Sequence, residues 1–211
     1  MRSLLKQFKD TLNRLVPADA SLILACSGGP DSQFMLDLMG RLLSEGSQYE
    51  ACAVGIDHGL RPEASEELDI AESLARKHAM EFHRIKVEVS TQGNLLQNAR
   101  DARYRALQEF HGALKASFIL TAHSATDQCE TMVQRFTRGT GLRGAAAIHP
   151  ARDNLVRPLL AHTRDEILNY LESNKIPFAT DPSNANRSRT RTRIRQDIVP
   201  VLDQLNPEAQ R

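Results

Sequence analysis

The sequence predicts an α/β fold: an open, mainly five-stranded parallel sheet with helices on both faces. Three observations predict it. Short apolar runs alternate with longer amphipathic ones about five times, the pattern of strand–helix–strand units. Right-handed crossovers then leave few topologies. The strand candidates also end in clusters of glycine, histidine and acid, and ligands of such sheets bind at the carboxyl ends of the strands.

The elements follow in order. Leu4, Leu5, Phe8, Leu12 and Leu15 recur at helical spacing. Ser21–Cys26 is the first strand, ended by Ser27-Gly28-Gly29-Pro30, and a helix follows with Met35, Leu36, Leu38, Met39, Leu42 and Leu43. Ala51–Ile56 is the second strand, cut off at Asp57-His58-Gly59. Residues 63–78 form a helix with acids in its first turns and Arg76, Lys77 and His78 at its end, a polarity that suits the helix dipole. Phe82–Val89 is the third strand and Asn94–His111 the third helix of the alternation. Ser117–Ala122 is the fourth strand, Asp127–Arg138 the fourth helix and Leu155–Leu160 a shorter fifth strand. Thr163-Arg164-Asp165-Glu166 is a capping box opening a helix through Leu171.

The chain has 211 residues, 41% hydrophobic and 25% charged, so it can bury a full core without staples, and one domain is expected. Its three cysteines form no C-x-x-C pair. A disulfide framework, a zinc knuckle and a cysteine-held cluster are therefore disfavoured. No apolar run spans a bilayer and no signal peptide opens the chain, so a cytoplasmic protein without a membrane partner is expected. Net charge is +1, but 21 of the 27 basic residues are arginine, whose planar fork suits phosphate.

The strongest local signal is Ser27-Gly28-Gly29-Pro30-Asp31-Ser32 between strand and helix. Two glycines let the backbone approach an anion, successive N–H groups form a nest, and the helix N-terminus adds partial positive charge. The segment is neither G-x-x-x-x-G-K-[ST] nor G-x-G-x-x-G, which disfavours a P-loop kinase or a dinucleotide oxidoreductase. The plainer alternative is a strand-to-helix turn with an N-cap. Segments Ser27–Ser32, 57–61 and His123–Gln128 are expected to converge on one crevice.

These residues carry a resemblance. Ser27–Ser32 resembles the pyrophosphate-binding loop of the N-type ATP pyrophosphatases, the PP-loop superfamily. Six further stretches narrow it to the tRNA(Ile)-lysidine synthetase family. Asp57-His58-Gly59-Leu60-Arg61-Pro62 and Ala99-Arg100-Asp101-Ala102-Arg103-Tyr104 are two of them. Ala122-His123 through Asp127-Gln128-Cys129-Glu130-Thr131 is another, followed by residues 138–144. Arg157-Pro158-Leu159-Leu160 and Asp181-Pro182-Ser183-Asn184 complete the set, in order over nearly the whole chain.

The resemblance implies a Rossmann-like sheet of the adenine nucleotide alpha hydrolase type. It also implies a ligase that joins lysine to C2 of the wobble cytidine of an isoleucine tRNA. ATP adenylates the cytidine oxygen, releasing pyrophosphate, and the lysine side-chain amine then displaces AMP. Isoleucine tRNA and free lysine are the implied partners, ATP and Mg²⁺ the implied cofactors; a homodimer stays open. The nucleotide would be bound by Ser27, Gly28, Gly29, Pro30, Asp31, Ser32, Ile56, His58, Arg100 and Arg103. Asp31 and Asp127 would hold the metal. Asp31, His123, Asp127 and Arg103 would carry catalysis. Arg100 and Arg103, three apart, share a helix face that could equally be solvated and paired with Asp101 or Glu109. His123 could equally be a histidine packing under its loop.

The family's His-His-x-Asp-Asp-Gln reads His123-Ser124-Ala125-Thr126-Asp127-Gln128 here, so one histidine is Ser124 and one aspartate is Thr126. Family members continue into further tRNA-binding domains, and these are expected to be absent from this chain. Rival readings are another tRNA-modifying enzyme of the superfamily, such as a thiolase, an enzyme that amidates small acids through an adenylate, or a nucleotide- and RNA-binding homologue without turnover. An arginine-rich segment occupies about 181–211. Arg187, Arg189, Arg191, Arg193 and Arg195 fall at every second position. Extended, all five point to one side; in a helix they spread around the cylinder. Either way they form a dense positive patch suited to an RNA backbone, expected outside the nucleotide crevice, or else a solvated tail. Arg135, Arg138 and Arg143 add a second positive patch near the crevice.

Overall fold

A computed structural model describes the chain apart from residues 1, 2, 61, 62, 142, 143, 145, 181–186, 188, 189, 207 and 211. The element order is α1 (Leu4–Leu15), β1 (Ser21–Cys26), α2 (Pro30–Ser44), β2 (Glu50–Asp57), α3 (Glu63–Lys77), β3 (Glu81–Lys86), α4 (Leu95–Leu114), β4 (Phe118–Thr121), α5 (Ala125–Thr137), β5 (Ala151–Arg152), β6 (Leu155–Val156) and α6 (Arg164–Ser173). The last helical stretch is α7 (Thr190–Arg193), a π-helical turn at Ile194–Ile198, and α8 (Val199–Leu205).

The strands form one six-stranded sheet in the order β3-β2-β1-β4-β6-β5, parallel except for the β5–β6 pair. The expected α/β sheet is present. The fifth strand differs: only Leu155–Val156 pairs with β4, because Pro158 has no N–H to donate, and a two-residue antiparallel strand flanks it.

Alternation along β1 serves two cores. Leu22, Leu24 and Cys26 join one apolar cluster with Phe8 and Leu12 of α1, Phe34 and Leu38 of α2, Ala71 and Leu74 of α3, and Ile167 and Leu171 of α6. Ile23 joins the opposite cluster with Val54, Ile119 and Leu107 of α4. Strands buried on both faces read as continuous apolar runs, as β1 does. A buried polar centre ties α6 to α2: Asp37 accepts hydrogen bonds from Tyr170 (2.6 Å) and Arg41 (2.8 Å), with His78 Nε2 2.8 Å away. No described helix is long and apolar enough to cross a membrane.

The chain runs outward from β1 to β2 and β3, then returns to the other side of β1 as β4. The switch of direction lies between β1 and β4, so the loops after these two strands open a crevice there.

Candidate functional site

The loop after β1 is held in a shape that faces its N–H groups into the crevice. Gly28 has φ +77°, and a Cβ there would lie 2.0 Å from the Glu67 carbonyl oxygen of α3. Only glycine fits. The Ala179 N–H donates to the Gly28 carbonyl at 2.9 Å, turning that carbonyl away from the crevice. The Ser32 hydroxyl donates to Gly29 O (2.9 Å) and accepts from Ser27 N–H (3.2 Å), closing the loop on itself. Pro30 is the first residue of α2, where its missing N–H costs nothing. The N–H groups that a helix leaves unbonded in its first turn are the kind that can receive an anion.

A cleft of about 300 Å³ opens in front of this loop. Ser27, Gly29, Asp31 and Ser32 form its floor; Arg100 and Arg103 of α4 and His123 and Asp127 of the β4–α5 corner form its sides. Val54, Ile56 and Leu107 give it one apolar wall. Most of the expected residues are thus brought together. Gly28 and Pro30 shape the loop from behind. His58 also stands off the lining and accepts from Arg103 at 3.3 and 3.2 Å. Leu60, next after Gly59, is exposed, while Arg61, expected in the crevice, lies outside the described residues, as do Pro62, Asp181–Asn184 and Arg143.

The electrostatics are those of a site waiting for charge. Asp31 is pushed up to about 6, first by burial and then by the Asp127 carboxylate, against the opposing pull of Arg164. Its Oδ2 lies 3.4 Å from Arg164, and its Oδ1 is buried without a hydrogen-bond partner among the described residues. Arg103 meets no carboxylate among the described residues; burial depresses its guanidinium, Tyr104 opposes that and Arg100 adds to it. A sequestered guanidinium facing no acid suits a phosphate. Burial pushes His123 down to about 4 despite the Asp127 charge, with Arg157, Arg100 and Arg191 helping. The imidazole is therefore neutral near pH 7, and its Nδ1 is 3.1 Å from Thr121 Oγ1.

Ser124 and Thr126 have roles in this geometry. Ser124 is the N-cap of α5: its hydroxyl accepts from Asp127 N–H, and Asp127 Oδ2 accepts from Ser124 N–H at 2.9 Å. Thr126 is buried away from the cleft; it accepts from Arg164 N–H (3.0 Å) and donates to Gln210 (2.5 Å). The position where the family has an aspartate thus caps α6 rather than lining the crevice.

The arginine-rich segment differs most from expectation. It takes the helical form over Thr190–Leu205, and, against expectation, it does not stand clear of the crevice. Arg191 lines the cleft. Its Nε donates to Glu130 Oε2 at 2.6 Å and its NH2 group to Asp127 Oδ1 at 2.9 Å. Arg195, one turn on, donates to Glu130 Oε1. Arg187 grips Asp197 at 2.7 and 2.9 Å. The reason is Glu130, which is fully buried in α5 and must be paired. Arginines four apart share a helix face and meet it together. Arg193 remains exposed, Arg189 lies outside the described residues, and Arg135 faces a second basin beside the cleft.

Cys26 lines the cleft too, but burial, with Cys52 adding to it, pushes its thiol up to about 12. It stays protonated and is a poor nucleophile.

Among solved structures, the U34-tRNA thiolase NcsA of Methanococcus maripaludis, with its [4Fe-4S] cluster, superposes with a TM-score of 0.79 at 16% identity, over 97% of this chain and 75% of that one. That likeness shows the fold. The tRNA(Ile)-lysidine synthase of Thermosipho africanus is 33% identical over 98% of this chain and 50% of its own length. That of Rhodopseudomonas palustris is 38% identical over 88% and 55%. The chain spans about half the length of the curated relatives it matches. Residues 2–202 match the family model of the PP-loop domain, and with its glycine-built anion loop at the β1–β4 switch point the chain belongs to that family of ATP-using domains.

Proposed function

We propose that this chain carries the catalytic part of a tRNA(Ile)-lysidine synthase, a carbon–nitrogen ligase acting on an isoleucine tRNA with ATP and lysine. The observation that carries the reading is the cleft itself: an anion loop, a sequestered guanidinium and an apolar wall meet on one side of a paired-carboxylate corner. The similarity to lysidine synthases over nearly the whole chain supports the choice of substrate.

In this reading the adenine lies against Val54 and Ile56, and the loop Ser27–Ser32 holds the departing pyrophosphate through backbone N–H groups. Arg103 offers its fork to the phosphates, with Arg100 beside it. The cytidine O2 attacks the α-phosphorus and pyrophosphate leaves; the lysine amine then attacks C2 and AMP leaves. Preorganised donors aimed at the developing charge supply most of the acceleration, and holding the two reactants in line supplies much of the rest. His123, neutral near pH 7, offers one ring N–H as a hydrogen-bond donor.

Asp31 fits a magnesium ion: one carboxylate oxygen is buried without a partner, and a cation would relieve its repulsion with Asp127. Such an ion, held by one or two carboxylates and by phosphate oxygens, supplies charge neutralisation at the α-phosphate. Asp127 already serves Ser124 and Arg191, so Asp31 is the principal holder and Asp127 the second.

The inert Cys26 favours an amine nucleophile over a sulfur relay through the cleft's own cysteine. The test is nucleoside mass spectrometry on a tRNA pool incubated with the protein, ATP and lysine, alongside pyrophosphate release. A lysine-sized mass gain on cytidine is expected, with AMP release and repeated turnover only when lysine is present. Repeated turnover that ignores lysine, or no pyrophosphate release with tRNA present, refutes the reading.

A further inference from the structure

Beside the nucleotide cleft lies a second basin of about 370 Å³ that the ATP chemistry does not use. Arg100, Arg135, Arg152, Arg157 and Arg191 line it, and among the described residues no acidic side chain does. It shares Arg100, His123 and Arg191 with the cleft, so the two open into each other across these side chains. We propose that this basin seats the phosphodiester backbone of the RNA strand that carries the reacting base. The proposal deepens the tRNA reading above and rests on it.

The first argument is charge. Arg191 alone has strong partners, in Asp127 and Glu130. Arg152 is 3.8 Å from Asp153 with both side chains largely exposed, a contact of little worth. Arg135 and Arg157 donate to backbone carbonyls, those of Gly144 and His149, at 2.7 and 2.8 Å. Arg157 Nε is buried and has no hydrogen-bond partner among the described residues. Guanidiniums gathered without counter-charge are costly and stand ready for an anion.

The second argument is construction. Gln128 fixes the wall by two hydrogen bonds to the backbone of Ile148, donating to its carbonyl (3.2 Å) and accepting from its N–H (2.7 Å). Arg157 N–H donates to Pro150 O at 2.8 Å. Donors held this way are aimed before the ligand arrives.

The third argument separates ligands. A nucleoside triphosphate has the glycine loop and helix N-terminus next door; this basin is lined by side chains from five separate stretches. Dispersed forks suit phosphates spaced along a strand, each taken by a bidentate contact. A free amino acid is poorly served, since its ammonium finds no carboxylate among the lining residues. A strand seated here also lets one base pass through the shared wall to the cleft.

The test measures affinity for an RNA hairpin with a single-stranded loop across a salt series, using the full chain and the variants Arg152→Gln, Arg157→Gln and their double. Neither residue lines the nucleotide cleft. The double variant is expected to bind RNA at least about tenfold more weakly, with its log–log salt slope reduced by about 1.4, near 0.7 per single-strand phosphate contact. ATP affinity and melting temperature stay at wild-type values. Arg152→Gln, a largely exposed position on the edge strand β5, gives about half that slope change without risk to folding. Wild-type slope in the variants, with RNA still bound, overturns the seat alone. A raised KM for lysine with an unchanged RNA slope also overturns it, assigning the basin to an amino-acid carboxylate. Failure of the wild-type protein to bind RNA while it binds ATP overturns the tRNA reading, and the seat with it.

Discussion

Asp31→Asn is expected to stabilise the nucleotide-free protein and to abolish its chemistry. In the folded chain Asp31 titrates at about 6 instead of its ordinary 3.8, driven by burial and by Asp127. A carboxyl whose folded pKa is raised binds its proton more tightly folded than unfolded. Stability is therefore lost as pH rises through that window and stays lost above it. At about 1.36 kcal/mol per unit the ceiling is about 3 kcal/mol. The side chain is 25% exposed and contributes a 3.4 Å ion pair with Arg164, so a net gain of about 1–2 kcal/mol is the working figure for the asparagine variant.

For a chain of this size that gain raises the melting temperature by roughly 2–8 °C. Thermal melts followed by circular dichroism, without nucleotide or divalent metal, read it directly. The gain should be full at about pH 8, shrink through about pH 5 and vanish near pH 3–4, where the wild-type carboxyl is itself protonated. Pyrophosphate release should fall on the order of a hundredfold or more. An asparagine variant less stable than wild type at about pH 8, or a gain independent of pH, refutes the reasoning. Either result means that Asp31 is not held at a cost in the empty site.

Other substitutions probe the rest of the framework. Glu130→Gln leaves Arg191 and Arg195 facing a neutral amide. Asp127 still partners Arg191 and both arginines are partly exposed, so the loss is expected at about 2–3 kcal/mol, below the usual cost of breaking a buried pair; a denaturant midpoint unchanged from wild type counts against it. Gly28→Ala drives a methyl into the Glu67 carbonyl and should remove nucleotide binding, measured by calorimetry, even where the protein still folds. Arg103→Met should bind ATP at least about tenfold more weakly with no loss of stability, since it removes a desolvated charge that has no acidic partner. Thr126→Val is isosteric and leaves Arg164 N–H without an acceptor, costing about 1–3 kcal/mol; a melt unchanged from wild type means that water replaces the threonine.

The sheet was legible because its central strands are buried on both faces and end in turn formers. β1 was read to the residue, Ser21–Cys26, since a continuous apolar run bounded by Pro17 and Gly28 admits little else. The edge beyond β4 was not. β5 and β6 have two residues each, too few for any period to show, and their turn rests on Asp153 at φ +54°. That left-handed aspartate was the available signal, since aspartate tolerates the conformation better than most residues. The capping box at Thr163 was legible for the opposite reason: its two reciprocal bonds lie within four residues and depend on nothing distant.

The cleft was legible where it is made of loops at strand ends, and misread where it depends on a long-range charge pairing. Alternation of arginine over residues 187–195 carries no information on partners: the acids that bind Arg191 and Arg195 lie more than sixty residues earlier on α5, while Arg187 meets Asp197. Had the spacing of four between Arg191 and Arg195 been set beside Glu130 and Asp127, three apart on one helix, a helix–helix charge lock would have emerged. That lock matters for function. Each of the two carboxylates proposed for the metal is met by a guanidinium from later in the chain, Asp31 by Arg164 and Asp127 by Arg191. These arginines screen the pair without neutralising it, since Asp31 still stands near 6. An incoming cation would thus find one carboxylate oxygen open and the remaining charge held in place, and the C-terminal helices are fixed in part by Asp127, one of the two carboxylates proposed for it.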